Sequence, residues 1–124
     1  MKNYIYTALL LILLPACGGL PEIGGNFDSD KWKQDELACG TSRSEMLQTV
    51  LNAKEELVQL GEAEIRKLFG KPDNVELFSR SQKFYLYYIE AGGQCEGEGG
   101  KANGRMLELS LDALGRLHEI NLRQ

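Results

Sequence analysis

The residues of this chain that carry reactive groups are few, and their spacing limits what they can do. His118 is the single histidine. It stands in Leu117-His118-Glu119-Ile120-Asn121, without the second histidine that an H-E-x-x-H zinc site places one helical turn on. Glu62 and Glu64 make a carboxylate pair, but at the start of an apolar-periodic stretch they suit a helix N-terminus better than acid–base work. Glu96 and Glu98 offer two carboxylates to a cation in Cys95-Glu96-Gly97-Glu98-Gly99-Gly100, with no further ligands at a defined spacing. Asp28-Ser29-Asp30 is not followed by the alternating acids and glycine of a calcium loop. No serine sits in a G-x-S-x-G elbow, and no glycine-rich loop runs into Lys-Ser or Lys-Thr. The expectation is a protein with no catalytic residue, no metal and no cofactor.

The other reactive groups are three thiols, Cys17, Cys39 and Cys95. Lys2 is followed by a nearly unbroken apolar run from Tyr4 to Leu14, and Pro15-Ala16 leads into Cys17. A charged start, a short apolar region and a small-residue exit describe a secretory signal peptide over residues 1–16. The run is too short to cross a bilayer, which takes about 20 apolar residues. Leu14-Pro15-Ala16-Cys17 resembles the bacterial lipobox, whose cysteine takes a diacylglycerol through its thiol and becomes the mature N-terminus. The resemblance implies lipidation of Cys17 by three acyl chains. One chain binds a membrane marginally, at about 0.8 kcal/mol per buried CH₂, and three hold it almost permanently. Gly18 rather than an acidic residue follows the cysteine, and by resemblance to enterobacterial sorting the expected location is the cell envelope, at the outer membrane facing the periplasm.

Losing residues 1–16 removes one lysine and no acid, so the mature chain is one unit more acidic than the −4 of the full sequence. No stripe of Lys and Arg appears, which argues against nucleic acid as a partner. If Cys17 is acylated, Cys39 and Cys95 remain as a pair in an oxidising compartment, where a disulfide persists. Closing a loop of that size contributes roughly 4 kcal/mol in the chain-entropy model. Two free buried thiols are the alternative.

These groups need elements to position them. Residues 17–40 read as a lipidated N-terminus, a flexible Gly/Pro/Asp-rich tether and a docking segment that Trp32 pins through a short helical turn. The folded domain is expected over 41–124. Ser42-Arg43-Ser44-Glu45 reads as a capping box, and Met46, Leu47, Val50, Leu51, Leu57 and Val58 recur with helical period, predicting one helix over about 43–60. A second helix over 62–69 buries Ile65, Leu68 and Phe69 and stops at Gly70, with Pro72 preventing a restart. The period then changes to two. Strands are expected over 83–90, 105–111 and 116–122, with 75–80 an edge strand or a connection. The glycine-rich loop 92–104 is long enough to be either functional or disordered. Helices followed by strands give the fold class: α+β, two helices packed on one face of a three- to four-stranded antiparallel sheet.

Leu68-Phe69-Gly70-Lys71-Pro72, the tyrosine strand with Tyr85, Tyr87 and Tyr88, and the hairpin Leu111-Asp112-Ala113-Leu114-Gly115-Arg116-Leu117 together resemble the SmpA/OmlA, BamE-like domain. The similarity spans about 45–122. It implies an outer-membrane lipoprotein that supports outer-membrane or envelope assembly, with a membrane contact through its lipid and a protein partner in the envelope. A related unit of two helices and three strands occurs in a secreted inhibitor of β-lactamase, so an inhibitor-like or small-ligand-binding lipoprotein is the alternative. Trp32, Cys39, Arg43 and Cys95, in that order, resemble a group of bacterial lipoproteins outside the basic motif. In the strand 83–90 both faces are apolar. With Phe84, Leu86 and Tyr88 against the helices, Tyr85 and Tyr87 are the expected partner-binding residues, unless the Trp32 segment covers them.

Overall fold

The computed structural model describes residues 19–97 and 99–124. Residues 1–16, expected to be a signal peptide, together with Cys17, Gly18 and Glu98 lie outside the described residues. Helix α1 (Ser29–Gln34) starts at Asp28, whose carboxylate accepts the Lys31 N–H at 3.1 Å. Next come α2 (Ser42–Asn52), α3 (Lys54–Leu57) and α4 (Glu62–Phe69). Strands β1 (Asn74–Leu77), β2 (Lys83–Tyr88), β3 (Met106–Leu111) and β4 (Leu117–Arg123) form one antiparallel sheet in the order β1-β2-β3-β4. The fold is α+β, with the helices on one face of a four-stranded meander.

One apolar cluster joins the two layers. Met46 and Val50 of α2, Leu57 of α3 and Ile65, Leu68 and Phe69 of α4 meet Tyr85, Tyr87, Leu107, Leu109 and Ile120 of the sheet. The register sets which strand residues look inward, because Tyr85 faces Leu109 and Tyr87 faces Leu107 across β2 and β3. In an antiparallel pair, directly opposed residues share a face. Trp32 is fully buried and packs edge-on to Phe69 at 5.3 Å and to Tyr87 at 6.5 Å. The short helical turn expected around it is α1.

Three features depart from the expected layout. The single helix over 43–60 is broken. Ala53 leaves helical geometry, and Gln59 takes φ 80°. The exit after Leu57 has its cause in the sheet: Gln59 N–H bonds the Leu117 carbonyl at 2.7 Å, and Leu117 N–H bonds the Leu60 carbonyl at 2.8 Å. These bonds draw the chain off the helix axis onto the start of β4. The apolar spacing survives because Met46, Val50, Ala53 and Leu57 stay on one side through the break. The capping box is also not formed, since the start of α2 has no side-chain cap from its own turn. Asp35 serves instead, accepting Gly40 N–H at 2.7 Å and Arg43 N–H at 3.0 Å. A carboxylate there satisfies an orphan donor and complements the helix dipole. Finally, the tether is packed along part of its length, as Ile23 and Phe27 lie against the core and Asn26 donates to the Glu45 carbonyl at 3.1 Å.

The C-terminal stop of α4 follows the expectation. Gly70 takes φ 80°, its N–H closes on the Arg66 carbonyl, and Pro72 is buried two residues on. The β3–β4 turn is held by Asp112, whose carboxylate accepts the Leu114 and Arg116 N–H groups at 2.9 and 3.0 Å. Cys39 and Cys95 form a disulfide with Cα atoms 5.6 Å apart, tying loop 92–104 to the turn before α2. Within that loop, a Cβ on Gly93 would stand 1.8 Å from the Lys101 carbonyl oxygen, so no side chain fits.

Candidate interaction surfaces

The tyrosines expected to meet a partner face the helices instead. Tyr85 and Tyr87 are buried, and with Ile89 they form the inner row of β2. The inner and outer rows are reversed from the expected assignment, because the inner row matches Leu107 and Leu109 of β3 while α1 supplies Trp32 above Tyr87. Each hydroxyl is used inside the molecule. Tyr87 donates to the Gly70 carbonyl at 2.8 Å, at the end of α4. Tyr85 donates to Glu62 Oε1 at 2.8 Å and accepts from Arg66 at 3.2 Å. Burial pushes the Tyr87 phenol well above its ordinary range. Lys83 and then Tyr85, both bonded to the Glu62 carboxylate, hold it below the usual carboxylate range. Glu62 thus acts as a clip between α4 and β2, while Glu64 is exposed and takes no part in it.

The outer row carries Phe84, Leu86 and Tyr88, and an ion-paired strap crosses it. Arg123 of β4 bonds Glu108 and also reaches Glu76 of β1 at 2.7 Å, with its guanidinium 5.7 Å from the Phe84 ring centre. Leu86, which pairs with Glu108 across β2 and β3, is fully buried on this face. The sheet face opposite the helices is therefore partly closed by its own side chains.

The edge of β1 is open. All four of its residues are exposed, and it packs closely on β2 alone among the described elements. Leu77 is 77 % exposed and the adjoining Phe78 61 %. Val75 and Leu77 pair with Tyr85 and Lys83 and so belong to the inner face, but the helices do not extend over them. The two residues form an apolar ledge. Phe78 N–H bonds the Gln82 carbonyl at 2.9 Å. By antiparallel alternation, the backbone groups of Val75 and Leu77 then point away from β2. Asn74 Oδ1 takes the Val75 N–H at 2.9 Å, leaving Leu77 as the outward donor.

A second feature lies between α1, α2 and the α4–β1 connection. Arg43 is 3 % exposed at its side chain and pairs with Asp73 at 2.6 Å. Its Nε donates to the Trp32 carbonyl and its Nη1 to the Tyr88 carbonyl, and the guanidinium lies 5.5 Å from the Trp32 ring centre. Asp73 also accepts the Tyr88 N–H at 2.8 Å. Arg43 thus fastens α1, α2 and both ends of the β1–β2 hairpin. Beside it opens a cleft of about 390 Å³, lined by Lys33, Glu36, Leu37, Phe69, Lys71 and Pro72, with Arg43 and Asp73 at one wall.

The remaining candidates stay apart. His118 and Glu119 are exposed on β4, and Glu96 is exposed beside the disulfide. Among the described residues, no three His, Cys, Asp or Glu side chains gather to hold a metal ion. Sequence reasoning missed the Arg43–Asp73 pair. A clue was present in Trp32, Cys39, Arg43 and Cys95, which the structure gathers in one corner of the fold. Compared with protein-family models, with curated proteins and with solved structures, the chain matches none of them.

Proposed function

We propose that the protein is a membrane-anchored envelope lipoprotein, acylated at Cys17, whose folded domain is a non-catalytic accessory that binds another envelope protein. The observation that carries this reading is the open edge of β1. An exposed strand edge is a liability that folds usually blunt, and here it is bordered by Val75, Leu77 and Phe78. An extended segment of the partner would add to the sheet beside β1 and lay its own apolar side chains on the ledge. The disulfide suits an oxidising compartment, and the apolar run before Cys17 supplies the route there. The BamE-like resemblance of residues 68–72 and 111–117 supports a role in outer-membrane or envelope assembly. The second reading, a small-ligand-binding lipoprotein, is favoured by the cleft beside Arg43.

The test is Leu77→Pro. The Leu77 N–H points away from β2, so proline there leaves the β1–β2 ladder intact while blocking an added strand. Affinity purification of the acylated chain from native membranes should recover a stoichiometric partner with wild type and lose it with Leu77→Pro at an unchanged Tm. Recovery of the same partner with the variant would rule out the β1 edge as the interface.

A further inference from the structure

We propose that the cleft beside Arg43 is a binding site for a phosphate group, separate from the β1 interface. Three cations line it, Lys33, Arg43 and Lys71, against two carboxylates, Glu36 and Asp73. Asp73 is already engaged by Arg43 and by the Tyr88 N–H, so the cleft carries net positive charge in a chain whose net charge is −4. Neither Lys33 nor Lys71 forms an ion pair among the described residues, and Glu36 is exposed at the rim.

The decisive group is the guanidinium. Its Nε and Nη1 are spent on Trp32, Asp73 and Tyr88, while Nη2 has no hydrogen-bond partner among the described residues. Trp32 Nε1 is the one side-chain polar atom among those residues sealed from solvent without a partner. Nη2, equally unpartnered, must therefore keep contact with solvent, and the cleft is the opening that Arg43 lines. A nearly buried arginine with two unused N–H donors thus lines a cleft to which two lysines also contribute.

The donor set selects the ligand. A planar carboxylate is best held by both arms of the fork, and one arm is already committed to Asp73. A tetrahedral phosphate needs no fork, and it accepts single donors from several directions, with the lysines acting as point charges. At about 390 Å³ the cleft lies within the usual range of small-ligand sites. Leu37, Phe69 and Pro72 give it an apolar wall that suits a phosphate carried on an organic body. That phosphate can come from a lipid headgroup or from a soluble phosphate ester.

The test is a titration of the full acylated chain in non-ionic detergent micelles, followed by the amide NMR shifts of residues 33, 70 and 71. The two probes are inorganic phosphate and short-chain phosphatidic acid, with short-chain phosphatidylcholine as the control lipid. Saturable shifts are expected, with affinity reduced about tenfold or more in Lys33→Gln/Lys71→Gln, since two point charges on the anion are lost. Both lysines are outside the core, so this variant should fold, which an undisturbed spectrum elsewhere would show. Saturation by inorganic phosphate points to a soluble ligand, and saturation only by phosphatidic acid points to a headgroup; both uphold the site. No saturable shift with either probe, or equal affinity in the double variant, would overturn it. Neither outcome bears on Leu77→Pro, so the two proposals fail separately.

Discussion

The disulfide offers the sharpest quantitative forecast. Cys39 and Cys95 close a loop across a sequence separation of 56. In the chain-entropy model such a closure removes about 14 cal/mol/K from the unfolded chain, or about 4.2 kcal/mol at 25 °C. Both cysteines are exposed, so replacing them with serine buries no new hydroxyl. The bridge also clamps a turn in which Leu37 and Ala38 both take positive φ, a backbone state costly for residues with a side chain. Cys39→Ser/Cys95→Ser should therefore lose about 4 kcal/mol in urea unfolding of the full chain in non-ionic micelles. At roughly 0.2 kcal/mol/K of unfolding entropy for a domain of this size, Tm should fall by about 20 °C. The urea m-value should rise, because the open unfolded chain exposes more surface. A loss below about 1 kcal/mol would refute the reasoning, since the unfolded chain would then already hold those segments together without the bond.

Further outcomes follow from the core. Arg43→Met leaves Asp73 without its buried partner and should cost about 3–5 kcal/mol in urea unfolding, with part recovered in Arg43→Met/Asp73→Asn. Trp32→Phe should cost at most about 1.5 kcal/mol, because the buried indole N–H has no bond to lose, whereas Trp32→Ala should cost about 3–5 kcal/mol. Glu62, Glu90 and Asp112 all have carboxyls held below their ordinary values, the first by Lys83 and the others by hydrogen bonds from Arg105 and Arg116. A depressed carboxyl stabilises the fold above its unfolded value, and that stability is lost as pH falls through the folded one. The urea midpoint should thus be flat from about pH 5 to about pH 9 and drop on acidification below the ordinary carboxyl range, more shallowly in Glu62→Gln.

Much of this architecture is readable from periodicity, and the exceptions have physical causes. Gly70 and Pro72 mark the end of α4, and the Asp112–Arg116 turn lies where glycine and alternating apolar residues place it. The break at Ala53 is not readable, since the apolar spacing from Met46 to Leu57 fits one continuous helix. What ends the helical run after Leu57 is pairing of residues 59 and 60 with Leu117, distant in sequence. Strand β2 misleads in another way. Phe84, Leu86 and Tyr88 are as apolar as Tyr85, Tyr87 and Ile89, so alternation alone leaves the inward row undetermined. The choice is made by the register with Leu107 and Leu109 and by polar partners for two hydroxyls, at Glu62 and Gly70. Arg43 within an amphipathic helix reads as a solvated residue. Its burial depends on Asp73, Trp32 and Tyr88 converging from three other elements.

The most direct test of the central claim, that the domain binds a partner along β1, is photo-crosslinking in intact cells. Probes would stand at Leu77, at Tyr87 and at Lys54 of α3, with adducts identified by mass spectrometry. A single dominant protein adduct from Leu77, absent from the buried Tyr87 and from Lys54, is the predicted result. No adduct from Leu77, or the same adduct from Lys54, would contradict it.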